Sequence, residues 1–280
     1  MDFRHLAFVI NRSKKGSPSL AEGLVSIAEE HGCQTRTTET FPVRDDFLEG
    51  VDACCVIGGD GTLLHMAPQA SLRQVPLIGF NRGNLGFLTT FTAEEAEKAL
   101  RKILQGQFQK AARQMLQCEI NGQTHIALND FVIKEKSNAH LILLDVWVDD
   151  VFVAEYHADG LIFATPTGST AYNLSASGPI IEPSAEVFTM TPISPHTLSN
   201  RSIIFPGGSQ LRVKTAPNCR SQAMLLRDGE TLDLPDDHLD FTLFAKTRAI
   251  TFLQGTDYDH FSVLRQKLGW MGPHRESGQS

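Results

Sequence analysis

Gly58-Gly59-Asp60-Gly61-Thr62 sets a carboxylate among three glycines, directly after the apolar run 53–57. A continuous apolar run of this kind reads as a strand buried on both faces, as in a parallel sheet. Ligands of such sheets sit at the carboxyl ends of the strands, where glycines let backbone N–H groups approach a phosphate. Asp60 is an anion in that position. The loop has no Walker-type lysine and does not match GxGxxG, so the common nucleotide fingerprints do not apply. A carboxylate beside phosphates makes chemical sense if it holds a metal ion or accepts a proton from an attacking hydroxyl. Asp60-Gly61 also has the composition of a tight hairpin turn.

A second group is denser. Residues 159–183, DGLIFATPTGSTAYNLSASGPIIEP, crowd Thr165, Thr167, Ser169, Thr170, Ser175 and Ser177 around Pro166, Gly168, Gly178 and Pro179, with Tyr172 and Asn173 at the centre. Many small hydroxyls beside one aromatic suit a site that grips sugar hydroxyls, an amide and a flat ring. No GxSxG elbow accompanies them, so a serine nucleophile has no support. Leu128-Asn129-Asp130 follows a strand signal and offers an amide beside a carboxylate, a pair able to take a vicinal diol or a heterocycle edge. The loop 81–88, NRGNLGFL, ends the next apolar strand and would line the same sheet edge as Asp60 if the two strands are parallel neighbours. His65 lies a little over one helical turn beyond Asp60. His140 and His157 fall at or near strand ends, and His196 sits in a turn between prolines.

The elements that must position these groups change character along the chain. The N-terminal third alternates strand and helix signals: strands at 6–10, 33–40, 53–57 and 75–80, helices at 19–30, from 63 and at 93–105. Alternation of this kind predicts a Rossmann-like parallel sheet with helices on its faces. Beyond residue 108 short strand signals follow one another, with turns at Asn121-Gly122 and Asp149-Asp150, and predict a largely antiparallel all-β domain. The expected division is residues 1–107 as an α/β domain and 108–253 as a β-rich one. A segment 254–271, helical at 260–268, packs back on the first domain, and 272–280 forms a disordered tail.

The composition is that of a soluble globular protein, 41% hydrophobic and 20% charged. Twenty-five basic against 32 acidic residues give a net charge of −7 without a basic block, which speaks against a nucleic-acid binder. Five cysteines without a CxxC pair suggest a reducing, cytoplasmic setting. The apolar run near the N-terminus is too short for a signal core or a membrane span.

Taken together, Gly58 to Thr62, residues 81–88, Leu128-Asn129-Asp130, residues 159–183 and residues 191–198 resemble the NAD kinase family in order and spacing. Lipid kinases and phosphofructokinases carry loops like GGDGT, but TPTGSTAYNLS separates this chain from them. The resemblance implies transfer of the ATP γ-phosphoryl group to the 2′-hydroxyl of the adenosine ribose of NAD, with a divalent metal cation (Mg²⁺). It implies Asp60 as catalytic acid/base, Gly58, Gly59, Gly61 and Thr62 as the phosphate loop, and Gly61 against the dinucleotide. Asn129 and Asp130, where the family commonly carries Glu at the second position, would hold the ribose. Asp159 with Thr170, Ala171, Tyr172, Asn173, Leu174 and Ser175 would contact the nicotinamide and adenine parts, and His65, His140, His157 and Glu230 would add NAD contacts. A homodimer or homotetramer is implied as well. The rival readings are a lipid or sphingoid-base kinase, which needs a greasy groove, and a non-catalytic NAD(P)-binding regulator, which gains nothing from an anion at Asp60.

Overall fold

The computed structural model describes residues 3–83, 86–137, 140–197, 199–219, 221–235 and 238–270. The expected tail at 272–280, and Asn84, Leu85 and Leu198 of the motif segments, lie outside the described residues. The chain divides into two compact units, one of residues up to 111 together with those from 252 onward, the other of residues 112–251.

The first unit is built on parallel strands. β1 (His5–Ile10), α1 (Ser17–Glu30), β2 (Gln34–Thr38), β3 (Ala53–Gly58), α2 (Asp60–Arg73), β4 (Leu77–Asn81), the short β5 (Phe91–Thr92) and α3 (Ala96–Leu104) follow in order. β2 pairs with β1, β1 with β3, β3 with β4 and β4 with β5, every ladder parallel. Every residue of β3 and β4 is buried, as a strand covered on both faces requires. Leu24 and Ile27 of α1 join Leu100 and Ile103 of α3 over Phe8, Ile10 and Ile57. α2 packs on β3 and β4. Because β3 and β4 are parallel neighbours, the segments leaving their carboxyl ends share one edge, and the N–H of Arg82 donates to the carbonyl of Gly58 (3.3 Å).

Two local expectations change. α1 starts at Ser17 rather than 19, entered through left-handed Gly16 with Pro18 in the first turn, where its missing N–H costs nothing. α2 starts at Asp60 itself, capped by extended Gly59. Asp60-Gly61 is therefore the first turn of a helix and not a hairpin; an acidic residue there is favoured by the helix dipole.

The second unit is an antiparallel sandwich. Its strands are β6 (Gln109–Ile120, which begins in the first unit), β7 (Gln123–Ala127), β8 (Asp130–Glu135), β9 (Ile142–Val148), β10 (Val151–Ala158) and β11 (Gly160–Ala164). A 3₁₀ turn (Thr167–Thr170) and the single-turn helix α4 (Tyr172–Ser175) lead to β12 (Val187–Ile193), β13 (Ile203–Pro206), β14 (Gln210–Thr215), β15 (Ala223–Arg227), β16 (Glu230–Thr231) and β17 (Asp240–Gln254). One sheet runs β10-β9-β14-β17 and the other β13-β12-β11-β8-β15-β16. Phe131, Ile133, Leu161 and Phe163 of the second sheet meet Leu144, Val146, Leu211 and Phe241 of the first. Phe163 and Phe241 cross edge to face at 6.3 Å. The intervening Val132, Ile162 and Ala164 face the other way, toward Ala176 just after α4, as the period of two along a strand dictates. The last residues of β17 belong to the first unit, where Phe252 pairs in parallel with Leu77. α5 (His260–Leu268) follows in the same unit, capped by Asp259, whose carboxylate accepts from the N–H groups of Phe261 and Ser262. All five cysteines are buried free thiols.

Candidate active site

In the first unit the chemistry gathers at the N-terminus of α2. One oxygen of the Asp60 carboxylate, Oδ1, accepts from the N–H groups of Leu88 (3.2 Å) and Thr89 (2.9 Å) and from the Thr89 hydroxyl (2.8 Å). Oδ2 accepts from the N–H of Phe87 alone (2.8 Å). The segment after β4 thus grips the carboxylate with backbone donors, and an ionised acceptor makes each bond a charge-assisted one. Gly86 permits the approach, since a Cβ there would lie 2.0 Å from Oδ1. Thr89 is fixed in turn by Asn81, whose amide nitrogen donates to the same hydroxyl (2.7 Å). The predicted loop 81–88 therefore reaches Asp60, and the residue that completes the grip, Thr89, lies one position beyond it.

Asp60 opens on a cavity of about 430 Å³ lined also by Asn11, Lys14, Phe41, Gly59, Gly61, Thr62 and His65. Gly59 and Gly61 face open space on that side. Gly58 does not: a side chain there would strike the Thr62 hydroxyl at 2.5 Å, and that hydroxyl also accepts from Asn11 (2.8 Å). The opening amides of a helix lack internal carbonyl partners. Here the Thr62 N–H already donates to the carbonyl of Gly59 (3.0 Å), so the first turn of α2 offers the N–H groups of Gly59, Asp60 and Gly61 to an anion beside the Lys14 ammonium. Lys14 and Asn11 were not singled out from sequence; a loop of turn residues after the first strand gave no distinctive pattern. A larger hollow of about 810 Å³, among β5, α3 and α5, meets the predicted motifs only at Arg82 and Gly83; Lys98, Lys102, Glu95 and Asp257 on its walls give it no single charge preference.

In the second unit Asn129 and Asp130 stand at the entrance to β8. Neither side chain is hydrogen-bonded to another described residue, although Asp130 is only 4% exposed. Burial first, and then the charge of Asp228, push the Asp130 carboxyl up to about 7. Across from it, residues 165–178 form a braced turn. Asn173 is fully buried, its amide nitrogen donating to the carbonyls of Ser169 (3.2 Å) and Pro179 (3.0 Å) and its oxygen accepting from Thr191 (2.7 Å). Ser169 bridges Pro166 and Ile181. These two side chains hold the turn, while Tyr172 (43% exposed) and Ser175 are displayed from it. Thr170 donates weakly to the carbonyl of Thr167 (3.4 Å). The Thr167 hydroxyl is buried without a partner, an orphan donor that a ligand in this turn would satisfy.

The remaining predicted residues are more dispersed. His157 is exposed and its Nε2 lies 2.6 Å from Glu155, while its carbonyl accepts from the N–H of His196 (2.8 Å). Asp159 is exposed, with its backbone bonded to Ile193. His140 is exposed. Glu230 pairs with Arg227 at 3.0 Å. Among the described residues no group of three or more His, Cys, Asp or Glu side chains is placed to hold a metal ion, and four donors already occupy Asp60. The described side chains thus offer no three-ligand site for a resident ion.

Two family descriptions match the chain: the ATP-NAD kinase N-terminal domain over residues 8–108 and the ATP-NAD kinase C-terminal domain over 128–245. NAD kinase of Geotalea daltonii is 38% identical over 259 residues, covering 90% of each chain. NAD kinase of Syntrophobacter fumaroxidans is 36% identical over 282 residues, covering 95% of this chain and 99% of its own. Among solved structures, yeast NADH kinase complexed with NADH has a TM-score of 0.81 at 24% identity, covering 100% of this chain and 91% of that one. An NAD kinase from Archaeoglobus fulgidus in complex with ATP has a TM-score of 0.78 at 24% identity, covering 96% and 100%. The two structures speak to the fold, and the two domain matches with the closely covering relatives go further. With its parallel α/β unit, its antiparallel unit and both sets of motif residues in place, this chain belongs to the ATP-NAD kinase family.

Proposed function

We propose that the protein is an NAD kinase, transferring the γ-phosphoryl group of ATP to the 2′-hydroxyl of the adenosine ribose of NAD to give NADP. The observation that carries this reading is the state of Asp60. Three donors saturate Oδ1 and orient the carboxylate, whereas Oδ2 accepts one bond and keeps a lone pair for a hydroxyl. In the transfer, the bond from the γ-phosphorus to the bridging oxygen of ADP breaks and a bond to the ribose O2′ forms, while the hydroxyl proton passes to Asp60 Oδ2. A ribose hydroxyl is far too weak an acid to be ionised beforehand, and a loose transition state does not require it. Asp60 orients the hydroxyl and takes its proton late.

The amides that open α2, from Gly59 to Gly61, the Thr62 side chain and Lys14 take the donor's phosphates, offsetting charge where it gathers. Asn129 and Asp130 hold the adenosine ribose. Asp159, the 170–175 turn, His65, His140, His157 and Glu230 contribute the remaining dinucleotide contacts, with Asn173 acting through the turn it braces. Magnesium arrives on the triphosphate as part of the substrate, since Mg²⁺ keeps several waters and is commonly held by substrate phosphates plus one or two carboxylates. The reading extends to a domain division at 107/108 with 254–271 returning to the first domain, a cytoplasmic setting, and a homodimer or homotetramer. The test is purified protein with ATP, Mg²⁺ and NAD, read through an NADP-dependent dehydrogenase. Steady NADP formation supports the proposal, and its absence above background overturns it.

A further inference from the structure

Asp228, outside the predicted site, and Thr165, one of the hydroxyls of the 159–183 segment, together satisfy every backbone polar group of Leu128-Asn129-Asp130. The carboxylate of Asp228 accepts from the N–H groups of Leu128 (2.8 Å), Asn129 (2.7 Å) and Asp130 (3.0 Å). Its own N–H donates to the carbonyl of Asp130 (2.9 Å). Thr165 takes the other two carbonyls, its hydroxyl donating to Leu128 (2.6 Å) and its N–H to Asn129 (2.9 Å). Three N–H groups and three carbonyls are thereby paired. Gly168 closes the arrangement from the side, since a Cβ there would lie 2.1 Å from the Asn129 carbonyl oxygen.

The turn chemistry explains why Asp228 can do this. Asp228 and Gly229 are the two central residues of the hairpin joining β15 to β16, where Arg227 pairs with Glu230. Both have positive φ, 48° and 88°, the conformation that Asp-Gly favours in such a turn. β15 lies beside β8, with Arg227 opposite Phe131, so the turn carries the carboxylate back over the start of β8. Three consecutive N–H groups around one carboxylate make a charge-assisted set. The side chains of Asn129 and Asp130 then project from a backbone with no spare polar group and little room to move.

The geometry points to Asp228 as a positioning residue for NAD: with Thr165 it fixes the 128–130 backbone so that Asn129 and Asp130 meet the adenosine ribose already in place. This rests on the reading of Asn129 and Asp130 as ribose contacts. Asp228 touches no substrate in this scheme; it acts through its neighbours, as a supporting shell does for a binding constellation. Asp228→Asn is the discriminating change. One carboxylate oxygen becomes an NH₂ that faces N–H donors, so bonds are lost while size is kept.

The experiment measures NAD dissociation constants by equilibrium titration, and NAD and ATP KM by steady-state kinetics, for the intact protein, D228N, N129A and the double variant. Weakening of NAD binding by about 10-fold or more is expected in D228N, with the ATP KM unchanged and a cooperative melting transition retained. In the N129A background D228N adds much less, because both changes act on one set of contacts. An unchanged NAD constant in D228N, an ATP KM that rises in step, or strictly additive effects would each overturn the inference. If D228N does not fold, Thr165→Val takes its place, with NAD binding weakened about 3-fold; a folded T165V with unchanged NAD affinity also refutes it. Intact protein that neither binds NAD nor makes NADP defeats the underlying reading and this inference with it. Intact protein that is active while D228N matches it defeats the inference alone.

Discussion

A carboxylate oxygen has two lone pairs, and the number already taken by protein decides what it can offer a substrate. Asp60 Oδ1 has three donors and Oδ2 one, so the group is held firmly and still presents a single free acceptor. Asp60→Asn keeps the size and much of the grip but removes the base. Turnover in the coupled assay is expected to fall by about 10²- to 10⁴-fold, with the NAD dissociation constant little altered; turnover near that of the intact protein would remove Asp60 from its role. Asp130 shows the opposite use of a carboxyl group. Burial and the Asp228 charge raise it to about 7 from 3.8, and burial raises Asp228 in the same direction. The folded state therefore binds more protons than the unfolded chain between roughly pH 4 and pH 7, and stability falls as pH rises through that window. Asp130→Asn removes this cost. Its melting temperature should gain on that of the intact protein steadily from pH 4 to 7, by several degrees at the upper end, while NAD binding weakens. Parallel melting curves across that range would refute the assignment.

At the scale of elements, glycines at equivalent-looking positions have different reasons to be there, and substitution separates them. Gly61 sits in the first turn of α2 with open space beyond it, so Gly61→Ala should leave stability unchanged or slightly raised while raising the ATP KM by crowding the phosphate cavity. Gly168 presses on the Asn129 backbone. Gly168→Ala should cost about 1–3 kcal/mol by urea denaturation and raise the NAD KM instead. A common effect of both changes on one substrate would contradict the division of labour. The same elements show what a sequence conveys. β3 and β4 were legible because strands buried on both faces are continuous apolar runs, and the second unit was legible because short strands repeat without a competing helix. The start of α2 was not, because Asp and Gly favour turns as readily as a helix's first turn. The 167–175 segment read as a hydroxyl-rich loop, yet Ser169 and Asn173 spend those polar groups on holding it together. Asp228 escaped notice since its partners lie about a hundred residues away, and no local spacing records such a bond.

For the molecule as a whole, a net charge of −7 does nothing to attract ATP or NAD, both anions, so in the proposed scheme their capture falls to local donors: the α2 N-terminus, Lys14 and a cation. The question is whether that cation belongs to the protein or to the nucleotide. No cluster of three ligating side chains occurs among the described residues, and Asp60 is engaged by the 87–89 backbone. A chelator in excess should therefore stop NADP formation completely, and added Mg²⁺ should restore it, while the melting temperature of the nucleotide-free protein stays where it was. The contrast is measurable. An ion resident at 100 times its dissociation constant would contribute about 2.7 kcal/mol to stability, and stripping it would lower the melting temperature by several degrees. A drop of that size on chelation, without nucleotide present, would place a structural metal in the fold and overturn the view that magnesium travels with ATP. With ATP present, Mg²⁺ should raise the melting temperature beyond what ATP achieves alone, because the cation then binds as part of the ligand that the folded state selects.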